Sequence, residues 1–239
     1  MDGALALIAA SLASGFAIDL WRSQARRSRF HALAWATAMS MYAIATWTLA
    51  WGLLQGWTDS SFRVFYYLGA IVNIPILALG SIALVRGEKA GRRFVGFLIP
   101  FFALAAWSTM VAPAVGEIAN VGVPEGSAVF QQGMIDDPAV PPIPSPRTFA
   151  AIAGGLGTVI VIGLAAISAV RRRDDRNAVL GNVLIILGTL APAFGGSLTA
   201  LGEGGAFAIS LLVGAALLWA GYRVARRASY RPSAAESST

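Results

Sequence analysis

Seven long apolar stretches, broken by short charged segments, constrain this chain more than any other feature. They run over residues 3–21, 31–54, 64–85, 94–112, 148–170, 178–201 and 205–222. A helix needs about 20 residues at 1.5 Å each to cross roughly 30 Å of hydrocarbon. Each stretch meets that length or nearly so. Of the charged side chains only Asp19 lies inside one of them. Across 239 residues 56% are hydrophobic and 13% charged, about half the charge of an ordinary soluble domain. Membrane β-strands would instead alternate over about ten residues, and these stretches do not. The expected fold is an all-α polytopic bundle of seven transmembrane spans, in one domain over residues 1–228. A disordered polar tail is expected over 229–239.

Orientation follows from the basic residues. Arg22, Arg26, Arg27 and Arg29 follow the first stretch. Arg86, Lys89, Arg92 and Arg93 follow the third, and Arg171, Arg172, Arg173 and Arg176 the fifth. Arg223, Arg226, Arg227 and Arg231 follow the seventh. Only Arg63 and Arg147 fall on the opposite side. The positive-inside rule then places the N-terminus outside and the C-terminus in the cytosol. The net charge of +6 is a topology signal, with no nucleic-acid partner implied. The expected partners are the bilayer and its anionic headgroups, drawn to the cytosolic arginine clusters. Asp2 precedes the first stretch and arginines follow it, which reads as a retained anchor and not a cleaved leader.

The longest connection, 113–147, lies outside and holds Pro138, Pro141, Pro142, Pro144 and Pro146. That run reads as extended chain. Residues 114–134 are mildly apolar and suit a lid over the bundle.

Two stripes recur every seven residues in the sixth stretch, a spacing that keeps side chains on one face. One is Gly181, Gly188, Gly195 and Gly202, matched by Gly214 and Gly221 in the seventh. Glycines on a membrane helix let a neighbouring backbone come close, so these are read as helix-packing positions. The second stripe is Asn182, Thr189, Gly196 and Glu203. The third stretch carries Tyr66, Asn73 and Gly80 at the same spacing. Pro75 and Pro192 interrupt these two helices and each frees a carbonyl. Asn73, Tyr66, Thr189, Asn182 and Glu203 are therefore the candidate lining of a polar cavity between the third and sixth spans. The plain alternative is that Asn73 and Asn182 only tie neighbouring helices together.

Asp19 sits beside Trp21 and Arg22 near the cytosolic interface, and an ordinary surface ion pair is its simplest role. His31 opens the second stretch at the same level. The chain has no cysteine, so thiol catalysis and cysteine-ligated metals are excluded. The only lysine is Lys89, outside the stretches, which excludes a retinal Schiff base. There is no HExxH motif and no phosphate-binding loop. No catalytic residue, cofactor or metal site is assigned.

The stretch WTDSSFRVFYYLGAIVNIPILALG from Trp57 to Gly80, LGNVLIILGTL over 180–190 and GEGGAFAIS over 202–210 resemble a family of uncharacterised bacterial multi-pass inner-membrane proteins. The resemblance implies a bacterial inner membrane and no particular activity. A remoter likeness is to the seven-helix input modules of bacterial sensor kinases. Three classes stay open: a small-solute transporter or channel, a sensory or regulatory module using the outer loop, and a structural or assembly subunit of a membrane complex.

Overall fold

The computed structural model describes residues 1–116, 118, 122–199 and 204–228. The elements are α1 (Asp2–Arg26), α2 (Phe30–Gln55), α3 (Asp59–Tyr66), a π-helical turn (Tyr67–Val72), α4 (Asn73–Arg86), α5 (Glu88–Val111), the short α6 (Gly126–Val129), α7 (Pro146–Arg171), α8 (Arg176–Thr199) and α9 (Gly204–Ala228). Among the described residues the one β feature is an isolated bridge between Met134 and Pro144.

The helices outrun the apolar stretches at several ends. α1 continues to Arg26 and α9 to Ala228, because arginine is a good helix former and favourable at a helix C-terminus. The end signals are local. Gly56 and Gly87, at φ 89 and 92, close the turns after α2 and α4 with a backbone that other residues resist. Thr58 and Ser61 form a reciprocal capping box at the start of α3. Ser145 caps α7 ahead of Pro146.

Among the described residues six helices are long and apolar enough to cross a membrane: Asp2–Arg26, Asp59–Arg86, Glu88–Val111, Pro146–Arg171, Arg176–Gly196 and Gly205–Arg227. The second of these is α3, the π turn and α4 in one kinked rod. α2, at 26 residues, has the length and no internal charge but falls outside this set. Thr37, Ser40, Tyr42, Thr46, Thr48 and three tryptophans lie along it. One face, with Met39, Tyr42, Thr46 and Leu49, is buried, while Ile44, Trp47 and Trp51 are exposed on the other.

Long helices consecutive in sequence run antiparallel. Trp47 and Trp21 of α2 and α1 donate across their seam to Ser14 Oγ and Ser40 Oγ, both at 3.0 Å. Gly3 lies against Leu54 at one end of this pair. α9 runs parallel to α1, with Phe16 stacked on Trp219 at 6.0 Å. Contacts close a ring in the order α1, α2, α4, α7, α8, α9, with α5 packed outside on α4. The loop 113–147 covers one end of the ring, here the loop end. The turns after α1, α4 and α7 and the close of α9 gather the arginines at the other, the arginine end.

The α8–α9 seam is built on glycine. A Cβ at Gly181 would lie 2.8 Å from Ala225, and one at Gly188 would lie 2.8 Å from the Leu218 nitrogen. Gly195 faces Ser210. From the other side Gly214 faces the Gly188 carbonyl, and Gly221 the Gly181 carbonyl. Gly202 and the 229–239 tail lie outside the described residues.

Candidate functional site: a lidded cavity inside the helix ring

Pro75 has no N–H to give the preceding turn, and the helix before it widens. Asn73 N bonds back to Leu68 O, five residues earlier, and Tyr67–Val72 form the π turn. Such turns push a side chain off the regular helical register. Asn73 directly follows this turn and lies inside the ring.

The ring encloses a cavity of ≈ 430 Å³ at the level of Asn73. Tyr42 and Thr46 of α2 line it, as do Tyr66 and Asn73 of the rod, Thr158 of α7 and Thr189 of α8. Phe65, Phe207 and Leu211 supply most of the remaining apolar wall. Such a volume, with mostly apolar walls and a few polar groups, has the form of a small-molecule site.

Most of the polar atoms are satisfied. The Tyr42 hydroxyl donates to the Leu211 carbonyl at 2.7 Å. Thr46 and Thr189 donate to carbonyls one turn back, at 2.8 Å each. Asn73 is different. It is 5% exposed, and its Oδ1 is a buried acceptor with no partner. An orphaned buried acceptor costs about 1–3 kcal/mol, and a residue kept only to join two helices would bond one of them. Among the described residues the only other such atom is Trp35 Nε1.

The loop roofs the cavity. Val123 to Ser127 form part of its wall, and Gly126 sits directly on the Tyr66 ring. The lid is latched by Trp57 Nε1 donating to the Gly122 carbonyl at 2.9 Å. Phe130, fully buried, packs on Tyr66 and Phe62 with ring centroids 5.2 and 5.7 Å away. Arg63 lies over the Phe130 ring at 5.6 Å, pairs with Asp59 at 2.6 Å and donates to the Thr109 carbonyl. Ser108 Oγ ties the proline run down through the Pro144 carbonyl at 2.7 Å. Glu125 is the one charged side chain on the wall among the described residues, and it accepts from Ser127 Oγ at 2.8 Å.

The sequence-derived candidates divide. Asn73, Tyr66 and Thr189 come together on the cavity wall. Asn182 does not join them. It lies two turns nearer the arginine end, where its Nδ2 donates to Ser168 Oγ at 3.3 Å and to the Ala178 carbonyl at 2.8 Å. That bond ties α7 to α8. Glu203 lies outside the described residues. Asp19, expected in a surface ion pair, instead accepts from Trp219 Nε1 at 3.0 Å. The ion pairs among the described residues are Arg63–Asp59 and Arg92–Glu88.

Tyr42, Thr46, Thr158 and the lid residues were not singled out from sequence. Tyr42 and Thr46 stand one turn apart among several hydroxyl-bearing residues of the second stretch, which was the available signal. No known protein family matches the chain, and no curated protein or solved structure matches it either.

Proposed function

We propose that the chain is a seven-span protein of a bacterial inner membrane, with its N-terminus and lid loop outside and its C-terminus in the cytosol. In this reading it carries a small solute through the central cavity. The observation that carries the reading is a ≈ 430 Å³ cavity with Asn73 on its wall, a buried amide whose Oδ1 has no partner. An acceptor desolvated in advance rewards a ligand that brings a donor. The solute class is therefore a small, largely apolar molecule with one hydrogen-bond donor.

The seventh crossing is supported by α2 lying antiparallel along the length of α1, since a bilayer thick enough for one accepts the other. The orientation is supported by the arginines collected at one end of the ring. The inner-membrane setting rests on the resemblance of residues 57–80, 180–190 and 202–210.

The test is release of small donor-bearing solutes from proteoliposomes. At least one should cross faster than through protein-free vesicles, and Asn73→Leu should return it to the background rate while the protein still inserts. Release unaffected by Asn73→Leu for every solute would contradict the reading. A second reading, a ligand-sensing module, is favoured by the roof of Val123 to Ser127 over the same cavity. It predicts binding that depends on Asn73 without release.

A further inference from the structure

A second void lies inside the same ring. It measures ≈ 20 Å³, about the room of one water molecule, and is bounded by Met39, Leu77, Ser81, Val161, Ile185 and Leu218. On four helices its wall begins one turn nearer the arginine end than the wall of the large cavity. The steps are Tyr42 to Met39, Asn73 to Leu77, Thr158 to Val161 and Thr189 to Ile185. Three or four residues at 1.5 Å each make about 5 Å. The two voids therefore lie on one line, separated by a single layer of side chains.

That layer is apolar. Leu77 and Val161 share one packed cluster with Ala38 and Ala78, and Ile185 lies against it. Beyond it, bordering the small void, is Trp35, whose Nε1 is the other buried atom without a partner. The Ser81 hydroxyl of the same void turns back to the Leu77 carbonyl at 3.0 Å. The two unsatisfied polar atoms among the described residues thus mark the two sides of one apolar layer. The Trp35 indole edge lies against Gly80 of the rod, so its N–H and the void sit side by side at this level.

We propose that Met39, Leu77, Val161, Ile185 and Leu218 form a hydrophobic gate, on a path that runs from Asn73 to the Trp35–Ser81 void and on to the arginine end. The gate rests on the reading of the large cavity as a solute site. A constriction of this kind holds back water and polar solutes by dewetting, with no charge needed. It also has hinges close by. The rod carries the π turn and Pro75 just above Leu77, and α8 carries Pro192 two turns above Ile185. Helices bend at such places. Below Pro192, the glycine seam between α8 and α9 leaves few side chains to unlock.

The chain contains no cysteine, so one introduced thiol reports alone. Thr189→Cys probes the large cavity and Ser81→Cys the small void. Both are made in the full chain, placed in oriented proteoliposomes, and treated from the loop side with a small, membrane-impermeant cationic methanethiosulfonate. Cysteine at 189 should react, and cysteine at 81 should react at least about tenfold more slowly. Adding Leu77→Ala, or the milder Ile185→Val, should raise the rate at 81 and leave the rate at 189 unchanged. Equal rates at 81 and 189 in the otherwise native chain would overturn the gate. So would a rate at 81 that rises in neither gate variant while 189 reacts and both variants unfold cooperatively on heating. No reaction at 189 would remove the cavity reading, and the gate with it.

Discussion

The Tyr42 hydroxyl reaches across the ring from α2 to the Leu211 carbonyl of α9, at 2.7 Å, on the wall of the large cavity. It joins two helices that are otherwise not direct neighbours in the ring order. Tyr42→Phe keeps the ring and removes the bond. The expected loss is about 0.5–1.5 kcal/mol, read as a lower unfolding temperature in detergent. An unchanged temperature would mean that the bond does not hold the ring closed.

The glycine seam makes a sharper prediction, because it has an internal control. Gly188→Ala puts a methyl against backbone atoms of α9, which cannot swing aside. It should destabilise by about 1–3 kcal/mol. Gly154 also sits in a helix, yet a Cβ there meets nothing within 4 Å. Gly154→Ala should be neutral or slightly stabilising, since alanine is the better helix former. Equal effects at the two positions would contradict the seam.

Asp19 bonds Trp219 through one oxygen, and asparagine offers an acceptor of the same shape. Asp19→Asn should therefore unfold near the wild-type temperature, while Asp19→Leu should lose about 0.5–1.5 kcal/mol. A large loss in both variants would show that the charge matters, as in an ion pair.

Phe130 fastens the lid. Phe130→Ala removes a fully buried ring and should cost the lid about 3–5 kcal/mol of local packing. Limited proteolysis reads this directly. The loop 113–147 should be cut much faster in the variant, while the helices on either side stay resistant. Unchanged cleavage would mean that the loop is held elsewhere.

What the sequence made legible follows from the scale of each signal. The helices were legible because a charge inside an apolar stretch is costly, so nearly all charges mark ends. α2 shows the same signal, and its buried face carries Thr46 and Tyr42 beside the apolar residues. The seam glycines were legible because their spacing is regular. The same regularity misplaced Asn182. Its seven-residue spacing from Thr189 puts both on one face of α8, but about 10 Å apart along the axis, and the cavity does not extend that far. Asn73 and Pro75 stood out as a pair, whereas the π turn just before Asn73 has no composition of its own. The lid was legible only as mild apolarity, because its latch is a backbone carbonyl at Gly122 and a single phenylalanine.

The most direct test of the central claim, that Asn73 faces a ligand site, is native mass spectrometry of the wild-type protein and Asn73→Leu released from nanodiscs made with native lipid extract. The account predicts a small-molecule adduct on the wild type that is absent from Asn73→Leu. Two bare polypeptides, or the same adduct on both, would contradict it.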